Sequence, residues 1–140
     1  MQLRNTFKNS NSSTINALII EDCKLNAIIL ERNLQRFGLT TNWVDNREDA
    51  QKELATNHYD IIFLDHYLTD EDSGTLLNLI KRKYPNIHVI AYTGAIYTLK
   101  SVKNFLTLFP YDDVITKPYV ENHLERIFLE RFKVTILEQK

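Results

Sequence analysis

The sequence contains little of several residue types that define other classes of protein. A single cysteine, Cys23, among 140 residues excludes an internal disulfide and a zinc site built from several cysteines. This cysteine content favours a reducing, cytoplasmic setting. Three glycines and three prolines exclude collagen-like and low-complexity chains. No apolar run is longer than four residues, so we expect no segment that spans a membrane.

Neither sign of charge is in excess. The 17 basic and 18 acidic residues give a formal net charge of −1. Strong nonspecific binding to nucleic acid usually requires a basic excess, so we expect no direct DNA binding. The fractions of hydrophobic residues, 44%, and of charged residues, 25%, are typical of a globular domain.

The two ends of the chain differ from its middle. Residues 1–16 have few large apolar side chains and are rich in Asn and Ser, which predicts a polar flexible leader and not a signal peptide. Residues 17–132 have the pattern of one folded domain. Residues 133–140 form a C-terminal extension that either prolongs the last helix or packs as a separate tail.

Five short apolar segments alternate with five segments of helical periodicity in the middle region. Short, continuous apolar strands are typical of a parallel sheet with both faces covered, which predicts an α/β fold. Asn46 is a candidate helix cap, and Gly38 is a candidate helix end. The predicted strands are 17–20, 41–44, 61–64, 88–92 and 114–116, and the predicted helices are 25–37, 47–57, 75–84, 96–109 and 120–132.

Polar residues follow four of the five predicted strands. In an open parallel sheet, the functional crevice lies at the carboxyl ends of the strands. Three acids, one hydroxyl and one ammonium are therefore predicted to meet at one edge. In chain order they are Glu21, Asp22, Asp65, Thr93 and Lys117.

Three crowded carboxylates repel one another, and a hard divalent cation such as Mg²⁺ relieves that repulsion. Asp65 can then act as a nucleophile towards phosphorus and form an aspartyl phosphate. The cation, Lys117 and Thr93 would each stabilise one oxygen of the transferred group. Each residue alone has an ordinary structural interpretation, such as a helix cap, a turn hydroxyl or a solvated lysine. The functional interpretation depends on their joint placement.

Over residues 17–132 the sequence resembles the receiver domain of two-component response regulators (CheY-like receivers). Four motifs carry the resemblance, and each follows one of the predicted strands. They are the acidic pair Glu21-Asp22, the phospho-accepting Asp65, the hydroxyl and its small neighbour Thr93-Gly94, and Lys117-Pro118.

The resemblance implies a flavodoxin-like, doubly wound, five-stranded parallel sheet of order 2-1-3-4-5 with five helices. It implies that Mg²⁺ is bound by Glu21, Asp22, Asp65 and the backbone carbonyl of Tyr67. It also implies phosphorylation by a histidine kinase or phosphotransfer protein and a conformational switch that is read by a downstream effector protein. The family often forms homodimers through the fourth and fifth helices, and it catalyses at most its own phosphorylation and dephosphorylation.

The sequence departs from the family pattern at three places. Leu68 and Thr69 replace the usual Met-Pro pair, and the following acidic loop is one residue longer before Gly74. Val114 stands where the family has a switch aromatic. We therefore expect the phosphorylation chemistry to be retained but output to pass through the fourth helix without an aromatic rotamer switch. The apolar residues of that helix either pack on the sheet or dock a partner.

These observations favour a stand-alone receiver that controls another protein or relays phosphate, because the sequence after the fifth helix is too short for an output domain. The alternative is a phosphorylation-independent binding module with the receiver fold. A phosphatase would need a general acid where Tyr67 stands. Tyr67 either hinders hydrolysis of the phosphoryl group or points to solvent. The four histidines are predicted to be surface or packing residues.

Overall fold

The computed structural model describes residues 4–8, 14–68, 71–94, 99–117 and 135–139. Strands and helices alternate along most of this region. No described helix is long and apolar enough to cross a membrane. The elements are β1 (Arg4–Lys8), β2 (Asn16–Ile20), α1 (Lys24–Arg36), β3 (Thr40–Val44), α2 (Arg47–Thr56), β4 (Ile61–Leu64), β5 (Tyr67–Leu68), β6 (Glu71–Asp72), α3 (Gly74–Lys83), β7 (His88–Thr93), α4 (Leu99–Leu108), β8 (Asp113–Thr116) and β9 (Thr135–Gln139).

Five of the strands form one parallel sheet in the order β3-β2-β4-β7-β8. When these five strands are numbered in chain order, the order in the sheet is 2-1-3-4-5. This is the predicted order, so the fold class is confirmed. The register places Ile20 beside both Val44 and Leu64, and Thr93 beside Thr116. Strands β3, β2 and β4 therefore end level, whereas β7 and β8 end together two residues further on, because Leu64 pairs with Ala91. The carboxyl ends of all five strands still share one edge of the sheet.

The core lies on both faces of this sheet. Ala17 and Ile19 face a cluster that includes residues of α1, whereas Leu18 and Ile20 face a cluster built with α2, α3 and α4. All four side chains are fully buried. This alternation explains why β2 is apolar at every core position, as the parallel-sheet prediction requires.

Helix ends follow the predicted local signals. The side chain of Asn46 accepts a hydrogen bond of 2.8 Å from the backbone N–H of Asp49 and caps α2. Gly38 has a φ of 88° just after α1, a left-handed conformation that glycine adopts at little cost. Both predictions from the sequence are confirmed.

Most apolar side chains that the structure describes in and just after α4 pack onto the sheet. Val102, Phe105 and Leu106, with Phe109 just beyond the helix, are partly buried against the second core cluster. Leu108 is the exception, with 75% of its surface exposed. The packing interpretation is thus confirmed for Val102, Phe105, Leu106 and Phe109 but not for Leu108.

Two segments differ from the sequence predictions. The expected polar loop before α3 contains a short antiparallel pair, β5 with β6. Strand β1 pairs antiparallel with β9, Arg4 opposite Gln139, so a leader without structure is the wrong description of residues 4–8. The pairing of β1 with β9 joins segments far apart in the chain, which local composition does not reveal, whereas β5 and β6 form a local hairpin. The predicted fifth helix lies outside the described residues.

Candidate functional site

The three acids predicted from the strand ends lie together. Glu21, Asp22 and Asp65 each offer a carboxylate oxygen, and these oxygens lie within 4.8 Å of one another. Glu21 and Asp65 are 1% and 6% exposed, whereas Asp22 is open to solvent. A buried acid pair therefore meets an exposed acid at the mouth of the site.

Glu21 is fixed by the strand ends around it. Its backbone N–H donates to the carbonyl of Val44, and its own carbonyl accepts from Trp43 Nε1 at 2.8 Å. Its carboxylate Oε1 accepts from the backbone N–H of Cys23 at 3.1 Å. Burial raises the pKa of Glu21 to about 7, although hydrogen bonds from Lys117 and Cys23 act in the opposite direction.

Lys117 reaches across the site from the end of β8. Its Nζ lies 2.6 Å from Glu21 Oε2 and 3.6 Å from Asp65 Oδ2. The ammonium also lies over the ring of Tyr92, 4.8 Å from the ring centroid. Burial raises the pKa of Tyr92 to about 12, so the ring stays neutral at physiological pH. Sequence reasoning missed Tyr92, because only the fold brings it under the lysine.

Thr93 ends β7 and is buried, and its carbonyl accepts a hydrogen bond from the backbone N–H of Lys117 at 2.9 Å. This bond ties the ends of β7 and β8 together. A Cβ added to Gly94 would lie 3.7 Å from the Cβ of Lys117, an ordinary contact. Gly94 therefore packs beside the stem of the lysine, with room for a methyl group.

Hydrogen bonds fix the backbone N–H, the backbone carbonyl and the carboxylate of Asp65. Its backbone N–H donates to the carbonyl of Ile20 at 2.9 Å. Its Oδ1 accepts from the backbone N–H of Tyr67 at 3.2 Å. The hydroxyl of Ser73 donates to the carbonyl of Asp65 at 2.6 Å, and the Ser73 N–H donates to the carbonyl of His66, also at 2.6 Å.

Ser73 is fully buried and closes the hairpin that precedes α3. Sequence reasoning missed it. A serine at the start of a helix ordinarily suggests a cap, but here the side chain makes no cap hydrogen bond and turns back to the strand end. Ser73 thereby fixes the backbone that carries Asp65.

Tyr67 and Val114 differ in burial, since Tyr67 is half-exposed and Val114 is buried. The side chain of Tyr67 is 53% exposed, and its ring stands edge-on to His66 at 4.9 Å. The role of its carbonyl as a metal ligand stays a prediction. Val114 is buried within the sheet beside Ala91 and has no aromatic ring to move.

The histidines have different surroundings. His58 is exposed, and His88 is half-buried. His66 is buried and packs against aromatic rings, as the packing prediction requires. His123 lies outside the described residues.

The donor set suits a hard divalent cation. Three carboxylates give hard oxygen ligands, and such ions prefer oxygen. The two buried acids share one ammonium, which leaves excess negative charge for a cation to offset. Next to the cluster, an ammonium and a hydroxyl at the ends of β8 and β7 are suited to bind a phosphoryl group.

The sequence profile described as the response regulator receiver domain matches residues 17–128. Among curated proteins, the autoinducer 2 sensor kinase/phosphatase LuxQ of Vibrio cholerae is 28% identical over 86% of this chain, and the transcription factor SKN7 of Saccharomyces cerevisiae is 22% identical over 88%. The matched region covers 14% and 20% of those two proteins. The chain thus spans a small part of the relatives it matches.

Solved structures agree with this match. A two-component response regulator from Clostridium difficile is 29% identical, with a TM-score of 0.71 over 84% of this chain and 98% of that one. The receiver domain of the sensor histidine kinase PA1611 from Pseudomonas aeruginosa is 21% identical, with a TM-score of 0.72 over 86% of this chain and 99% of that one. That receiver holds a magnesium ion coordinated in its active site cleft.

Proposed function

The chain belongs to the response regulator receiver domain family of two-component signalling, and we propose that it is phosphorylated on Asp65. The donor is a phosphohistidine on a histidine kinase or a phosphotransfer protein. The observation that carries this proposal is the position of the Lys117 ammonium, 3.6 Å from Asp65 Oδ2 beside three clustered carboxylates.

The transfer follows from the placement of these groups. A carboxylate oxygen of Asp65 attacks phosphorus, and the P–N bond to the donor imidazole breaks with its electron pair remaining on nitrogen. Lys117 turns from Asp65 to the transferred oxygens, and the Thr93 hydroxyl donates to another of them. Because Glu21 also pairs with Lys117, the ammonium stays near the site throughout.

Mg²⁺ is the proposed metal, and when bound it supplies positive charge that offsets the negative charge developing on the phosphoryl oxygens. Glu21, Asp22 and Asp65 would hold it, with the carbonyl of Tyr67. Two observations support this assignment, namely the clustered carboxylates in this chain and the magnesium ion in the cleft of the related P. aeruginosa receiver.

Phosphorylation acts here as a switch and not as turnover of a substrate. The two states must differ in a surface that a downstream effector protein recognises, because a partner can respond only to a difference between them. One such surface would be formed by α4 and the segment that follows β8, through which two copies of the chain would pair. The alternative is a module that binds its partner without phosphorylation. It gains support from Val114, from Leu68 and Thr69 in place of the usual Met-Pro pair, and from the longer acidic loop.

Titration with beryllofluoride and Mg²⁺, followed by amide NMR, tests the proposal. We expect saturable shifts at Asp65, Thr93 and Lys117, because the analogue occupies the position of the phosphoryl group. The same titration of an Asp65→Asn variant should leave these amides unchanged. Wild-type protein without saturable shifts would favour the phosphorylation-independent module.

Tyr67 is expected to lengthen the life of the acyl phosphate. Its half-exposed ring belongs to the residue two positions after Asp65, from which a bulky group would hinder the approach of water in line with the P–O bond. A Tyr67→Asn variant should lose its phosphoryl group several-fold faster than the wild type, measured by the decay of phosphorylated protein after the donor is removed. Equal decay rates would show that the ring plays no part in hydrolysis.

A further inference from the structure

His66 occupies a buried aromatic site on the side of the chain away from the acids. It follows Asp65 directly, but the two side chains have different partners. Asp65 faces Lys117, whereas the ring of His66 packs against Phe105 and Phe109 at centroid distances of 4.8 and 4.3 Å. His66 is 1% exposed.

A hydrogen bond joins His66 to a second aromatic residue of this cluster, Tyr111. His66 Nδ1 lies 2.9 Å from the hydroxyl of Tyr111, which is buried in the loop between α4 and β8. The Tyr111 ring stacks on Phe105 at 5.5 Å with an interplanar angle of 13°. The segment that carries Asp65 is therefore linked to α4 by a directional bond and by edge-to-face ring contacts, both of which depend on ring orientation.

The carboxylate of Asp65 is connected to this ring cluster through one peptide unit. The N–H of that unit belongs to Tyr67 and donates to Asp65 Oδ1, while its carbonyl belongs to His66 and accepts from the Ser73 N–H. Addition of a phosphoryl group to the Asp65 carboxylate changes the acceptor that the N–H contacts. A change in this peptide unit moves the backbone of His66, and close packing passes the displacement to the neighbouring rings.

We propose that His66 and Tyr111, packed with Phe105 and Phe109, couple the phosphorylation state of Asp65 to the position of α4. This ring cluster would take the place of the switch aromatic that is lacking at Val114, which is buried within the sheet. The inference rests on the proposed function of Asp65 and adds the route by which its state reaches the surface of α4.

The test compares beryllofluoride and Mg²⁺ titrations of the wild type with those of Tyr111→Phe and His66→Phe, again by amide NMR. Tyr111→Phe removes the hydroxyl and keeps the ring, and His66→Phe removes Nδ1 and keeps an aromatic side chain. Both variants should bind the analogue and shift the amides of Thr93 and Lys117 as the wild type does. The shifts across residues 99–108 on saturation should fall about twofold or more.

Tyr59→Phe is the matched control. Tyr59 is a buried tyrosine whose hydroxyl accepts a hydrogen bond from Asn42 and donates one to Glu53. It lies just before β4, at the amino end of the strands and so at the end of the sheet away from Asp65. This variant should keep the full response of α4.

The possible results separate this inference from the proposed function. A full α4 response in Tyr111→Phe would overturn the coupling role even if His66→Phe failed to fold. Wild-type protein with no saturable shift at Lys117 would overturn the proposed function, and the coupling with it. A reduced α4 response in Tyr59→Phe equal to that in Tyr111→Phe would also overturn the inference, because the effect would not be specific to the ring cluster.

Discussion

Replacement of Lys117 by methionine is expected to slow phosphorylation of Asp65 by phosphoramidate about 100-fold, the usual effect of removing one donor that stabilises a developing charge. The ammonium lies 2.6 Å from Glu21 and 3.6 Å from Asp65, so it is already placed to meet the incoming oxygens. The reaction breaks the P–N bond of the donor and releases ammonia. The rate can be followed by chromatographic separation of phosphorylated from unphosphorylated protein.

The same substitution should strengthen Mg²⁺ binding, because it removes a positive charge from beside three carboxylates. Trp43 is the only tryptophan of the chain, and its Nε1 donates to the carbonyl of Glu21, so its fluorescence offers a readout of metal binding. Slower phosphorylation with tighter metal binding is a pair of effects that a folding defect would not produce. Lys52→Met, which removes an exposed lysine of α2, should change neither quantity. A phosphorylation rate for Lys117→Met equal to that of the wild type would contradict the proposed role.

The metal-free protein is expected to lose stability as the pH rises from about 5 to 7. Burial raises the folded-state pKa of Glu21 from 4.5 to about 7, so the folded state holds a proton that the unfolded state releases in this range. The stabilisation is complete below the unfolded-state pKa and is lost as the pH passes the folded-state pKa. A shift of this size corresponds to about 3 kcal/mol in the free energy of unfolding. Among the residues that the structure describes, the charged or titratable groups next to Glu21 are Lys117, Asp65, Asp22, Tyr92 and Cys23.

Urea unfolding in EDTA across this range measures the effect. A Glu21→Gln variant cannot release the proton, so its free energy of unfolding should depend less on pH than that of the wild type by roughly the same 3 kcal/mol. Glu48→Gln, at an exposed position on α2, serves as the matched control and should follow the wild-type curve. Superimposable curves for wild type and Glu21→Gln would show that Glu21 is ionised throughout this range.

The main residues of the site were predictable from the sequence because the topology places them. Once a segment is identified as a parallel strand, the residue after it must lie at the carboxyl edge, which located Glu21, Asp65 and Lys117 without knowledge of any contact. Asn46 and Gly38 were predictable for a similar reason, since helix ends have local signals.

The remaining features depend on contacts between residues far apart in the chain. Tyr111 lies 45 positions from His66, and nothing near either residue indicates that they meet. Ser73 has the local pattern of a helix cap but bonds to the strand end instead. The pairing of β1 with β9 joins opposite ends of the chain. Local propensity does not contain this information, which arises only when the elements pack.

The strand order also has a consequence for folding. The pairing of β2 with β4 joins residues almost twice as far apart in the chain as the pairing of β2 with β3 or of β7 with β8. Contacts between distant residues form late, because the chain entropy of a long loop must be lost first. Glu21 and Asp22 follow β2, whereas Asp65, Thr93 and Lys117 lie at the ends of β4, β7 and β8, on the other side of that junction. The acidic cluster is thus assembled only when the two halves of the sheet join, and a partly folded molecule would have no site for a phosphoryl donor to find.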